Sequence, residues 1–259
     1  MASESSRGGH RPTRKKLSRR GTPPKVLMVD VGGSNVKLMV SGQDAVRKVK
    51  SARRMTAMQM VKGVLATTKD WHYDVISLGF PGLIKDGQVA RNPLNLGGGW
   101  EGFDFEKAFK KPVRIINDAA MQALAAYERG RLLFVGFGTS IGASLIADDV
   151  VVPVEVGLMR LSKSQAFMDR LTKEALARWG QAKWQKGVEQ ALALLKDLFW
   201  PEHVVIGGGN AKHLDPLPEG CTRAANKDAF KGALRLWPGA DLLAVPQVTT
   251  WRIERPSKG

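Results

Sequence analysis

The sequence predicts an α/β protein of two lobes with an active site in the cleft between them. Its 259 residues are enough for two compact lobes. Short apolar segments typical of strands alternate with segments of helical spacing. A strand, a glycine-rich turn and a second strand occur at 26–40, and the same unit recurs at 131–147. This recurrence, about half a chain apart, indicates duplicated lobes that face one cleft.

Composition and charge indicate the cellular compartment of the protein and the kind of ligand it attracts. Cys221 is the one cysteine, which excludes an internal disulfide framework, and no apolar signal-peptide core is present, so we expect a cytoplasmic protein. The apolar runs fall far short of the roughly 20 residues of a membrane-spanning helix, so no membrane partner is expected. The net charge of +16 creates a positive field that attracts polyanions, although a solvated basic surface explains it equally well.

We divide the chain into four regions. Residues 1–24 are rich in Ser, Gly, Arg, Lys and Pro and are predicted to form a disordered basic arm, which could also tether polyphosphate or nucleic acid. An N-terminal lobe is expected over 25–118. A C-terminal lobe is expected over 119–237, with the option that its last helix packs back on the first lobe. Residues 238–259 show little pattern beyond an apolar stretch at 241–245 and are expected to be a C-terminal tail.

The first glycine turn lies in Asp30-Val-Gly-Gly-Ser-Asn-Val-Lys37, where a carboxylate ends a strand and glycines allow close approach of the backbone to a ligand. Phosphate is the natural ligand of such a turn. A dinucleotide or Walker site is disfavoured because a strand follows instead of a helix. A plain hairpin turn is the alternative. The second turn, Gly136-Phe-Gly-Thr-Ser-Ile-Gly142, favours a pair of phosphate loops.

Asn117-Asp118 ends a buried strand and begins a helix, which makes either residue a candidate helix cap. An acceptor hydroxyl needs a carboxylate within hydrogen-bond reach and a neighbouring amide to hold it, and this pair supplies both. Three further features suit polyhydroxylated ligands as well as ordinary surface structure: the turn ending at Gly82, the loop 92–100, and Glu155.

Taken in order, these motifs resemble the ROK family of bacterial sugar kinases, in particular its polyphosphate glucokinase-like branch, over roughly residues 25–237. The resemblance implies the two-lobed actin-like ATPase (ribonuclease H-like) fold and Asp118 as the catalytic base. It implies Mg²⁺ as cofactor, held by Asp30 directly or through water. The residues expected at the sugar are Gly82, Asn95, Asn117 and Glu155. The residues expected at phosphate or nucleotide are Asp30, Gly32, Gly33, Ser34, Asn35, Lys37, Gly138, Thr139, Gly142, Gly207, Gly208 and Gly209.

Two departures from the family pattern matter. The chain has no cysteine-rich zinc motif, a feature that the polyphosphate-using branch also lacks. Where the family usually reads Glu-x-Gly-His, the chain reads Glu155-Val-Gly-Leu158, and leucine cannot form a hydrogen bond with a sugar. Glucose is the expected hexose, although Leu158 counts against specificity for glucose.

The expected function is phosphoryl transfer from polyphosphate or ATP to the primary hydroxyl of a hexose. The alternative is a catalytically weak sensor of sugar or phosphate. Nucleic acid is disfavoured as a partner because no helix-turn-helix precedes Lys25. Members of the family are commonly dimers, so a homodimer is one expectation.

Overall fold

The computed structural model describes residues 22–93, 96–224 and 229–255. The elements from residue 26 to residue 117 build one lobe around a sheet of five strands in the order β3-β2-β1-β4-β7. In chain order they are β1 (Val26–Val31), β2 (Asn35–Val40), β3 (Arg47–Lys50), α1 (Ala57–Thr67), β4 (Val75–Phe80), β5 (Ile84–Lys85), β6 (Gln88–Val89), α2 (Phe105–Phe109) and β7 (Val113–Asn117).

The second lobe is built around a sheet of seven strands in the order β12-β11-β8-β9-β10-β14-β13. Its elements are α3 (Asp118–Ala126), β8 (Leu132–Phe137), β9 (Ile141–Ala147), β10 (Val150–Val154), α4 (Phe167–Leu171), α5 (Lys173–Trp179), α6 (Gln181–Phe199), β11 (His203–Gly207), a 3₁₀ helix (Ala211–His213), β12 (Cys221–Arg223), α7 (Ala229–Leu234), β13 (Leu243–Pro246) and β14 (Trp251–Glu254).

The central strands of the first sheet bring three chain segments to one edge. β1, β4 and β7 run parallel, with Asp30 opposite Gly79 and Phe80 opposite Asn117. All six residues of β1 and of β4 are buried, as expected of parallel strands that are covered on both faces. The carboxyl ends of these strands therefore place Asp30, the turn after Phe80 and the start of α3 together.

The second sheet repeats this arrangement with its own glycine segments. β8 and β9 form a hairpin, and β11 lies parallel to β8 with Gly207 opposite Gly136. The turn between β8 and β9 and the glycine run after β11 consequently lie at the same edge of this sheet.

The C-terminal residues differ from the expectation of a tail with little pattern. β13 and β14 pair with each other, and β14 also pairs with β10 at Val150 and Val151. Trp251 and Ile253 are buried, whereas Arg252 and Glu254 between and beyond them are exposed. The prediction is wrong for 243–254 because an alternation only four residues long is too short to stand out without its pairing partner.

The last helix connects the second lobe back to the first. The Ser77 hydroxyl in β4 donates to the carbonyl oxygen of Ala233 at 2.7 Å and accepts the indole N–H of Trp237 at 2.9 Å. Arg114 in β7 donates to the carbonyl oxygen of Leu236, and its guanidinium lies 4.6 Å from the Trp237 ring centre. The segment from α7 to Trp237 is thus hydrogen-bonded to two strands of the first sheet.

Every helix in the described part of the chain is too short or too polar to cross a lipid bilayer.

Gly232 is where α7 approaches α3 most tightly, because a Cβ at this position would overlap the carbonyl oxygen of Met121. We expect Gly232→Ala to lower the free energy of unfolding by about 1–3 kcal/mol through overpacking, although alanine is the better helix former. Urea denaturation would measure the loss. Gly187→Ala in α6 is the matched control, since its Cβ would meet side-chain atoms rather than backbone, a Leu171 methyl at 3.3 Å and the Arg170 guanidinium at 3.8 Å, and stability should hold or rise. Equal stability of the two variants would contradict the close contact.

Candidate active site

The two glycine turns face each other across the cleft. A Cβ at Gly33 would lie 3.8 Å from the Thr139 side chain, a van der Waals distance. Gly33 and Thr139 are both exposed at the tips of their turns. The structure therefore brings together the two loops that the sequence analysis singled out for phosphate.

Ser51 holds the first turn in shape. Its hydroxyl donates to the Gly32 carbonyl oxygen at 2.8 Å, and its N–H donates to the Ser34 carbonyl oxygen at 3.1 Å. Within the turn, the Gly32 N–H donates to the Asn35 carbonyl oxygen at 3.1 Å. The sequence analysis missed Ser51. It follows β3 but binds the turn between β1 and β2, and no local motif marks a contact between residues so far apart in the chain.

Asp30 and Lys37 lie at the base of the first turn. Asp30 is 9% exposed, and the Lys37 ammonium lies 3.4 Å from one of its carboxylate oxygens. The two residues are directly opposite on β1 and β2. Lys37 is exposed, so its charge faces the solvent side of the turn while it pairs with the carboxylate.

Contacts from α5 and α3 fix the second turn. The Lys173 N–H at the start of α5 donates to the Gly138 carbonyl oxygen at 2.7 Å. A Cβ at Gly142 would lie 3.2 Å from that of Ala119 in α3. This close packing leaves the turn directly beside the first residues of α3.

The glycine run after β11 packs under the second turn. Gly208 has φ +82°, and any side chain there would overlap the backbone of Phe137. The Asn210 N–H donates to the Phe137 carbonyl oxygen at 2.9 Å. Gly207 is buried, whereas Gly208 and Gly209 are exposed. The run therefore supports the turn from below and presents its last two glycines to solvent.

The structure separates the roles of Asn117 and Asp118. Asn117 is the N-cap of α3, since its Oδ1 accepts the Ala120 N–H at 3.1 Å, and its Nδ2 donates to the Gly82 carbonyl oxygen at 3.2 Å. Asp118 is the first helical residue, and one of its oxygens accepts the Ala119 N–H at 2.8 Å. Asp118 is therefore not the cap, and Asn117 uses both ends of its amide to fix the helix and the Gly82 turn.

Burial and two further carboxylates raise the pKa of Asp118. Burial, followed by the negative charge of Asp30, raises the pKa of Asp118 to about 7, and the charge of Glu155 adds to this effect. The Ala119 N–H acts in the opposite direction because it stabilises the ionised form. Asp30 comes from the first sheet and Glu155 follows β10 of the second, so the three carboxylates converge from both lobes.

The positive charge of Arg91, a residue that the sequence analysis missed, acts on Glu155. Restricted hydration raises the pKa of Glu155, and the positive charge of Arg91 lowers it. Arg91 belongs to a loop of the first lobe, so this charge effect also acts across the cleft. No spacing in the sequence relates the two residues.

The loop 92–100, which the sequence analysis named as a candidate sugar-binding segment, is anchored by a buried tryptophan. Asn95 lies outside the described residues. The Asn92 side chain accepts the Trp100 N–H at 2.9 Å, and the Trp100 indole N–H donates to the Met55 carbonyl oxygen at 3.1 Å. Leu158 is 80% exposed, which leaves an apolar side chain where a hydrogen-bonding one was expected.

The described residues contain no group of three or more His, Cys, Asp or Glu side chains placed to hold a metal ion. Mg²⁺ in phosphoryl-transfer sites is usually bound by one or two carboxylates, with water and phosphate oxygens completing its coordination. Asp30, close enough to Asp118 to raise its pKa, is such a carboxylate. The residues present fit a magnesium ion that arrives with a phosphorylated donor.

Comparison with known proteins agrees with this geometry, although no protein-family model matches the chain. A polyphosphate glucokinase from Mycobacterium tuberculosis is 25% identical over 219 residues, which cover 75% of this chain and 82% of that protein. The crystal structure of an inorganic polyphosphate/ATP-glucomannokinase from Arthrobacter sp. strain KM superimposes with a TM-score of 0.72 at 22% identity, covering 82% of this chain and 97% of that one. A ROK family glucokinase from Streptomyces griseus, solved with glucose and AMPPNP, gives a TM-score of 0.66 at 18% identity and covers 82% and 99%.

The predicted two-lobed α/β fold is confirmed by these structures. The chain is thus similar in sequence to a polyphosphate glucokinase and similar in fold to a polyphosphate/ATP-glucomannokinase and a ROK family glucokinase.

Proposed function

We propose that the chain transfers a phosphoryl group from polyphosphate or ATP to the primary hydroxyl of a hexose, with Asp118 as the general base. The observation that carries this proposal is the position of Asp118. Asp118 is the first residue of the helix that packs against the second glycine turn, and its carboxyl group has a pKa of about 7. A base whose pKa lies near the working pH combines a usable ionised fraction with a strong drive for proton transfer.

The proton transfer needs only one group of the protein. As the hydroxyl oxygen attacks the terminal phosphorus, its proton passes to a carboxylate oxygen of Asp118, and the bond from that phosphorus to the leaving phosphate breaks. The Ala119 N–H holds the other part of the carboxylate in place through its bond to Oδ1. Asn117 fixes the backbone on which Asp118 sits, through the cap and its bond to Gly82.

The phosphate chain is proposed to lie against the two facing turns. Backbone N–H groups at Gly33, Ser34 and Thr139, together with the Lys37 ammonium, are the proposed donors to phosphate oxygens, while the Gly138 N–H donates to the Ser140 carbonyl oxygen within the turn at 3.1 Å. Mg²⁺, proposed to be held by Asp30 directly or through water, would neutralise negative charge on the phosphate oxygens. Because such catalysis is mostly positioning and electrostatics, the fixed geometry of both turns supports the assignment.

Glucose is the first acceptor to test, since the relatives named above include glucokinases, and mannose is the second, since the Arthrobacter protein is called a glucomannokinase. A matrix of polyphosphate and ATP against a panel of hexoses separates enzyme from sensor. An enzyme forms sugar phosphate with at least one pair. A sensor shows thermal stabilisation by ligand without product, and that result would overturn the proposal.

Asp118→Asn should lower kcat by about 10²–10⁴-fold, because asparagine cannot accept the proton. The KM for the sugar should change little. Asp104→Asn is the matched control: Asp104 caps α2 by accepting the Lys107 N–H at 2.9 Å, and asparagine caps equally well. Steady-state kinetics on both variants make the comparison. Full turnover in Asp118→Asn would remove the base assignment.

The same variant should also be more stable than the native protein at pH 8. The folded-state pKa of Asp118 is about 7 against an ordinary value of 3.8, so ionising it costs stability as the pH rises through that interval. Asparagine removes this cost. Thermal unfolding should therefore give a higher Tm for Asp118→Asn at pH 8, and the difference should shrink as the pH falls towards 4. A lower Tm at pH 8 would mean that the carboxylate stabilises the fold.

The pH profile of kcat/KM should show an acid limb near pH 7. Below the pKa of Asp118 the protonated carboxyl group cannot accept a proton, so the rate should fall about tenfold per pH unit. Initial rates between pH 5 and 9, with the donor and metal saturating, would measure it. A profile that stays flat down to pH 5 would contradict the assignment.

A further inference from the structure

Helix α3 begins at the proposed base and ends at a buried arginine. Arg235 is 1% exposed, and its Nη1 donates to the carbonyl oxygens of Leu124 and Tyr127, the latter at 2.6 Å. Leu124 lies in the last turn of α3, where its carbonyl oxygen also accepts the Tyr127 N–H at 3.4 Å, and Tyr127 is the C-cap of the helix. The end of a helix leaves carbonyl groups short of intrahelical partners, and Arg235 supplies donors there. The positive charge also lies at the end of the helix where its dipole favours a cation.

Asp241 holds the arginine from the other side. Its two carboxylate oxygens accept bonds from Nε and Nη2 of Arg235 at 3.0 and 2.7 Å, a bidentate pair. Arg235 lowers the pKa of Asp241 to about 2, and the nearby Lys231 acts in the same direction. The Asp241 side chain is 56% exposed, whereas its partner is enclosed.

The segment that carries Arg235 is itself tied to the strands that lead into the site. The Ser77 hydroxyl in β4 and Arg114 in β7 bind carbonyls of the same segment. β7 runs directly into Asn117 and Asp118. Arg235 therefore connects the far end of α3 to the sheet from which its near end emerges.

We propose that Arg235 and Asp241 form a positioning pair that sets where α3 lies along its axis and thereby places the Asp118 carboxylate. The proposal rests on the role of Asp118 proposed above. Without Asp241, the guanidinium can turn away from the carbonyls, and α3 gains freedom to shift towards or away from the acceptor hydroxyl. A displacement of about 1 Å at a reacting group can cost roughly a hundredfold in rate.

The test is Asp241→Ala, which changes an exposed side chain and leaves the buried arginine in place. We expect kcat to fall about tenfold, the sugar KM to stay within about twofold, and the acid limb of the pH profile to move because Asp118 changes its surroundings. Asp70→Ala is the matched control. Asp70 forms a bidentate pair with Arg47, with one bond of 2.7 Å and a similarly lowered pKa of about 2, at the opposite edge of the first sheet.

Asp70→Ala should leave kcat and the acid limb unchanged, even if it lowers Tm. If both variants lose turnover equally, or if Asp241→Ala leaves kcat and the pH profile unchanged, the positioning role is overturned.

A double variant separates this inference from the proposed function. In the Asp118→Asn background, Asp241→Ala should cause no further loss of kcat, because its effect acts through Asp118. An equal loss in both backgrounds would overturn the positioning role and leave the base assignment intact. Full turnover in Asp118→Asn alone would overturn the base assignment, and with it the inference.

Discussion

The packing of α3 between the two sheets is the constraint on which the site depends. One apolar cluster joins strands of the first sheet, such as Met28, with strands of the second, such as Phe134, and α3 lies within it. Small side chains make this possible, because Ala119, Ala120 and Ala123 are buried and let both sheets approach the helix. A bulkier helix would hold the two glycine turns further apart and remove them from the carboxylate that α3 carries.

This arrangement places a carboxyl group where its ionisation is unfavourable. Asp118 lies within range of the charges of Asp30 and Glu155 and is poorly hydrated. The Ala119 N–H favours its ionised form, but burial and the charge of Asp30 outweigh this effect. The fold is stabilised by its apolar cores and tolerates this local cost, as is common at sites whose pKa values suit catalysis.

The sequence was enough to predict the two glycine turns, the strands beside them and the Asn117-Asp118 pair, because each is a local pattern. It left Asp118 ambiguous between cap and base, since helix starts cannot be located to one residue without the hydrogen bonds. Ser51, Arg91 and Arg235 act on residues distant in the chain, and nothing near them in sequence records the contact. The apolar stretch at 241–245 was not assigned to a strand for the same reason, because β13 pairs with β14 and β14 with β10, and none of these partners is adjacent in a recognisable pattern.

The pKa of Asp118 depends on both lobes at once, and this links the chemistry to the cleft. Asp30 belongs to the first lobe and Glu155 to the second, and the charge of each adds to the effect of burial in raising the pKa of Asp118. If the cleft widened, water would reach Asp118 and Glu155 would move away, and both changes would lower the pKa towards its ordinary value. A carboxylate with that lower pKa is a weaker base. Under the proposed function, Asp118 is therefore the stronger base when the cleft is closed, which is also when water is excluded from the phosphoryl group.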